Sequence, residues 1–155
     1  MHHLGVTELF ELFFVGLLAG FELAVHYGLG TPPPALTESA QIILRQAMVR
    51  RLRVLAPALF APSLFLAVMI AVNERNGPQS WLRYVAVSML FVWTIIRIAR
   101  TVPVNSATLE WNPEAPPRDW RSLVQRTERF HVVAAWAAVV AFLSSLAASF
   151  SSLSR

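Results

Sequence analysis

The chain contains no cysteine and no lysine. Without cysteine there are no disulfides, no thiolate metal ligands and no cysteine nucleophile. Without lysine, Schiff-base chemistry at a side-chain amine is excluded. Charge is scarce as well. Only 14% of the 155 residues are charged, against about a quarter in a soluble domain. Hydrophobic residues make up 55% and the mean hydropathy is +0.52. That composition does not suit an ordinary water-soluble domain, and the length suits one domain, residues 1–155. All 13 basic residues are arginine, and the formal charge is +4. A basic soluble protein would suggest nucleic acid, but no basic patch interleaved with aromatics occurs. The arginines flank apolar runs instead, which points to a membrane surface.

Four apolar runs approach the ~20 residues that a bilayer requires. They cover about 6–29, 54–72, 81–99 and 132–153. The expected fold is therefore all-α, an integral membrane four-helix bundle. The first run does not read as a signal peptide, because its leading end carries Glu8 and Glu11 and no arginine. Arg45, Arg50, Arg51, Arg53, Arg97, Arg100, Arg118, Arg121, Arg126 and Arg129 fall on one side of the membrane; Arg75, Arg83 and Arg155 fall on the other. By the positive-inside rule both termini lie outside and the arginine-rich connections are cytoplasmic, in an inner membrane. The proline run in GLGTPPPALTES stops the first helix. Thr37 or Ser39 then caps a helix that runs from about Glu38 into the second span and bends near Pro57 and Pro62. Pro103 is expected to end the third span. A long connection, Pro103 to Arg121, would follow.

On a helical wheel Glu8, Glu11, Val15, Ala19, Glu22 and His26 share one face of the first span. Ionisable groups in lipid are costly, so this face is expected to look into the bundle. Glu8 and Glu11, near the water boundary, are expected to be solvated. Gly16, Gly20, Ala24 and Gly28 form an opposite stripe suited to close helix approach, within the bundle or in a homodimer. Alternating topology brings Glu22, His26, Arg45, Arg97, Asn105, Arg126 and His131 to one membrane face. Below His131 the fourth span presents Ala135, Ala138, Phe142, Ser145 and Ser149, mostly small side chains that leave room for a ligand or for close packing.

Several chemistries fit this set. Glu22 could orient His26 as a base that takes a proton from an acidic C–H or phenol. Glu22, His26 and His131 also supply two histidines and a carboxylate, the ligand set of non-haem iron oxygenases. Haem between His26 and His131 is a further alternative in a four-helix bundle. Asn105 could donate to a substrate carbonyl or enolate, or simply cap a turn. Arg97 could pair with Glu22 or polarise an anionic substrate. Trp93 could stack on a flat ligand or fill core, and Trp120 could anchor at the interface or cover the site. A structural reading also stands, in which the polar residues are ion pairs within a membrane subunit or assembly partner. His2 and His3, at the chain's start, enter none of these schemes.

The segment from Val102 to Val133 carries a resemblance. Val102-Pro103-Val104-Asn105, then Asn112-Pro113 and Trp120, then Phe130-His131, together with Gly20-Phe21 and His26, resemble the anthrone oxygenase-like family of four-span membrane proteins. Thr127 and Ala134 stand where that family commonly has Trp and Arg. The resemblance implies a membrane oxidoreductase that oxygenates an activated carbon of a hydrophobic aromatic or polycyclic substrate entering from lipid, with no added cofactor. Taken with the convergent polar residues, it gives His26, Glu22 and His131 as catalytic candidates and Asn105, Arg97, Trp93 and Trp120 as candidate substrate contacts.

Overall fold

A computed structural model describes residues 5–28, 35–74 and 76–153. The proline run, His2, His3, Arg75 and Arg155 lie outside the described residues. Helix α1 spans Val6–Leu23 and continues through a π-helical turn, Ala24–Gly28. Helix α2 is Glu38–Asn73. Helix α3, Ser80–Ile96, passes through a second π turn, Arg97–Thr101, into α4, Val102–Glu110. Helix α5 is Trp120–Leu153. These make four continuous rods, and no strand occurs among the described residues. All four rods are long and apolar enough to cross a membrane.

Local chemistry sets the ends. Thr37 caps α2 as expected, its Oγ1 accepting the Ala40 N–H at 3.3 Å. The helix then runs unbroken through Pro57 and Pro62. At 36 residues it is about 54 Å long, well beyond the ~30 Å hydrocarbon core, so one end must reach past the apolar zone.

Two expectations about the third and fourth spans are corrected. Pro103 does not end the third rod. A proline in a helix clashes with the carbonyl four residues back, here that of Ala99. Ala99 lies inside the π turn, and the wider turn relieves the clash so that the chain stays helical to Glu110. The fourth rod begins at Trp120 rather than near Val132, because the charged stretch 121–129 is helical too. The long connection therefore shrinks to 111–119.

Each rod packs on its two neighbours in sequence: α1 on α2, α2 on α3, α3 on α5 and α5 on α1. This is an up-and-down bundle with α1 and α3 on a diagonal. Its core combines Val15, Leu18 and Ala19 with Ala67, Leu90, Trp93 and the alanines 134, 137, 138 and 141 of α5. The alanines bring α5 close to its neighbours. A small second core, Ile42, Trp120 and Val124 with Trp111 against it, closes one end. Gln46 staples that end by donating to the Thr108 and Trp111 carbonyls at 3.0 and 2.9 Å. The glycine stripe of α1 is divided. Gly16 lies against Phe142, and Gly20 and Gly28 face open space.

Outside and inside are inverted relative to a soluble protein. Phe13, Phe65, Phe91, Ile95 and Trp136 are at least half exposed, whereas Glu11, Glu22 and Arg83 are buried. An apolar exterior around buried charge is what a bilayer solvent selects. Glu8 and Glu11 are not solvated. Arg83 reaches across the diagonal from α3 and donates to Glu8 at 2.5 Å, to Glu11 at 3.1 Å and to Glu74 at 3.2 Å. Ser145 donates to Glu11 at 2.6 Å, and Ser149 to Glu8. Glu8 also accepts the Gly5 N–H at 3.0 Å and so caps its own helix.

Arg83→Leu strands a buried carboxylate, for which about 3–5 kcal/mol of destabilisation is expected. Reversible unfolding in detergent measures it, and a loss under about 1 kcal/mol would contradict a structural clamp here.

Candidate functional site

The opposite end of the bundle gathers the end of α1, the start of α2, the second π turn with α4, and the start of α5. Arg97 is the centre. Its guanidinium donates to Glu22 through Nη2 and to His131 Nε2 at 2.9 Å through Nη1. A guanidinium has no acceptor, so His131 Nε2 must offer its lone pair and the ring proton must sit on Nδ1. That Nδ1 is 4.0 Å from Glu22 Oε2. The result is a closed triad of carboxylate, guanidinium and imidazole drawn from three rods. One turn away, Arg45 contacts Glu128 Oε1 at 3.4 Å and Asn105 Oδ1 at 3.5 Å. His26 Nδ1 lies 3.9 Å from Glu128 Oε2.

These contacts revise the expected pairings. Glu22 and His26 share a helix face, yet the nearest carboxylate to the His26 ring nitrogen is that of Glu128, and Glu22 is taken by Arg97 and His131. The iron ligand set Glu22, His26 and His131 does not assemble. No three His, Cys, Asp or Glu side chains among the described residues are placed to hold a metal ion. The Arg97 guanidinium stands between Glu22 and His131 where a cation would have to sit. It also engages His131 Nε2. Arg126 is exposed and takes no part. Glu128, which the sequence reading passed over, joins the site because it follows Val124 by one helical turn on α5.

A cavity of about 500 Å³ opens beside the triad. Arg97, His131, Asn105 and Trp93 line it, as do Arg45 and Glu128. Glu22 stands behind Arg97, and His26 is not in the wall. Trp120 is not in it either. It is buried in the small end core and its indole donates to Glu38, so its place is structural. Trp93 stacks on Phe60 with ring centroids 4.5 Å apart, and the Arg97 guanidinium lies 5.3 Å from its ring centre. The Trp93 ring is thus in contact with two other residues of the cavity lining.

The two ends of the bundle differ in how completely their polar groups are paired. No buried side-chain atom of the Arg83 cluster lacks a partner. Glu22 Oε2, Trp93 Nε1, Arg97 Nε, Thr101 Oγ1, His131 Nδ1, His26 Nδ1 and Arg45 Nε all do, and all belong to the Arg97 end. Buried polar atoms are normally satisfied, so this concentration of unpaired ones sets the Arg97 end, where the cavity opens, apart from the Arg83 end. Both π turns also fall at this end, and such turns recur at functional sites.

Comparison of the chain with protein-family models, with curated proteins and with solved structures returns no match. What the fold and site define is a class: a four-helix membrane bundle with a charged, incompletely paired cavity at one end.

The triad is expected to behave as one unit. Arg97→Ala and Glu22→Ala each leave a buried group unpaired, at a cost of about 3–5 kcal/mol. The double variant is expected to lose less than the sum of the two. A double-mutant cycle on unfolding in detergent reads this, and strict additivity would dissolve the pair.

Proposed function

We propose that this protein is a membrane oxidoreductase of the anthrone oxygenase-like kind. It oxygenates an acidic ring carbon of a hydrophobic aromatic substrate, and the cavity at the Arg97 end holds that substrate. One observation carries the reading: His131, Arg97 and Trp93 line one cavity, and Arg97 Nε and Trp93 Nε1 beside it have no acceptor. That is the equipment for removing a carbon-bound proton and holding the resulting enolate oxygen. The motif resemblance over Val102 to Val133 supports the same chemistry.

His131 takes the role of base, since it lines the cavity and His26 does not. When the substrate oxygen draws the guanidinium of Arg97, His131 Nε2 is released to accept the proton from the ring CH₂. Glu22, facing Nδ1, stabilises the imidazolium that forms. The carbanion, delocalised onto the oxygen at Arg97 and Trp93, adds to dioxygen. His131 returns its proton to give a hydroperoxide, R₂CH–OOH. Loss of the second C–H proton with cleavage of the O–O bond gives R₂C=O and water. The balance is R₂CH₂ + O₂ → R₂C=O + H₂O: carbon is oxidised, dioxygen is reduced, and no further electron donor enters.

Anthrone with ¹⁸O₂ over the protein in nanodiscs tests this. The quinone is expected to carry one ¹⁸O and to form with one O₂ consumed. His131→Gln is expected to slow turnover by about 100-fold or more. Absence of turnover by the unaltered protein overturns the reaction, and full activity of His131→Gln overturns the base.

A second reading, a non-enzymatic membrane subunit, is favoured by the Arg83 cluster, where the same residue types serve only to hold helices. It predicts that neither anthrone nor any apolar ligand protects the Arg97 end.

For orientation, we infer that the Arg97 end faces the cytoplasm of an inner membrane and the termini face the other side. Arg50, Arg51, Arg100, Arg118, Arg121 and Arg129 are exposed at that end, while Arg83 is buried at the other, which supports this. Because the chain has no cysteine, single cysteines report cleanly. In intact cells an impermeant maleimide is expected to label Asn76→Cys and not Arg118→Cys; the reverse pattern inverts the orientation.

A further inference from the structure

The cavity is lined along several helical turns, and its charge is unbalanced. On α2 its lining follows one helical stripe: Arg45, Val49, Arg53, Pro57 and Phe60. Facing them, α3, the π turn and α4 contribute a second stripe from Trp93 to Leu109. Fifteen residues separate Arg45 from Phe60 (60 − 45), so at 1.5 Å per residue the groove is about 22 Å long. A polycycle of compact outline would fill only part of it.

Polar and apolar residues are mixed in its lining. Asn105, Glu128, His131 and Arg97 line it together with Ile98 and Val102, and those last two are more than half exposed on the apolar surface of the bundle. The groove therefore has an edge through which an apolar molecule can pass from the membrane.

The charges run Arg45, Arg53 and Arg97 against Glu22 and Glu128, one positive charge in excess. Arg53 makes no ion pair with any described residue. Arg45 is poorly served despite being largely buried. Its two contacts are 3.4 and 3.5 Å long and its Nε has no acceptor. Charge-assisted bonds of arginine usually close to about 2.7–2.9 Å. A buried guanidinium held this loosely is a place where an incoming anion gains more than it displaces.

We propose that the ligand of this cavity is an elongated amphiphile with a single anionic oxygen group. Arg45 holds the anionic group, and the apolar body lies along the α2–α3 groove toward Phe60. This rests on the proposed use of the cavity as a substrate site and names the substrate class.

The test is binding to the full chain in nanodiscs by native mass spectrometry, with 4-octylbenzoate, its methyl ester and benzoate as probes. The octylbenzoate is expected to bind at least tenfold more tightly than either of the others. That preference over the ester is expected to vanish in Arg45→Gln and to survive in Arg45→Lys. Arg45→Lys also guards against simple misfolding, since it keeps the charge. Equal binding of acid and ester overturns the anionic class. Equal binding of octylbenzoate and benzoate overturns the elongated body. An acid preference unchanged in Arg45→Gln removes Arg45 as the anchor. The outcome is separable from the oxygenase reading. Octylbenzoate bound at Arg45 by a protein inert toward anthrone leaves this inference standing and ends the other. Turnover of anthrone with no acid preference does the reverse.

Discussion

A charge placed in hydrocarbon must meet its opposite, and in this bundle that requirement falls on the diagonal. Helices α1 and α3 are not neighbours in the ring of rods, yet α1 buries Glu11 and Glu22 and the third rod buries or nearly buries Arg83 and Arg97. Two arginines thus reach through the axis of the bundle to two carboxylates. The carboxylates stand 11 residues apart, three helical turns, so both fall on one face of α1. The arginines stand 14 apart, close to four turns. Packing of alanine-rich α5 and the aromatic exterior arrange themselves around these two cross-links.

The same device has been used to two different ends. Around Arg83 every buried polar atom is answered, with serines of α5 filling the remaining positions on the carboxylates. Around Arg97 the pairing stops short, and a cavity and both π turns lie beside it. A fully satisfied network rigidifies, whereas one left open is unstable unless something else completes it. This contrast within one chain separates fully paired from incompletely paired charge more sharply than residue type does.

Much of this was legible in the sequence. Apolar run lengths and arginine placement give four spans and their alternation, and the 3.6-residue period puts Glu11, Val15, Ala19 and Glu22 on the buried face of α1. The convergence of Glu22, Arg97, Asn105 and His131 follows from topology alone. What could not be read was partner choice. Nothing in the i, i+4 spacing of Glu22 and His26 reveals that Arg97 lies nearer to Glu22. Glu11 near a helix start reads as solvated until Arg83, 72 residues later, is seen to arrive beside it. Pro103 reads as a terminator because the relief offered by a π turn has no sequence signature. Trp120 reads equally as lid or anchor until Glu38 and Ile42 are placed against it.

The diagonal cross-links also bear on how the chain enters its membrane. The first span carries Glu8, Glu11 and Glu22, and the arginines that answer them lie on the third. During synthesis span one is complete long before span three exists. Over that interval it is a poor guest for lipid, and translocon scales put each central acidic residue at several kcal/mol against insertion. The acidic face of the first helix thus meets its charge partners only once the third has followed, so the two spans depend on each other although they are not neighbours in the ring of rods.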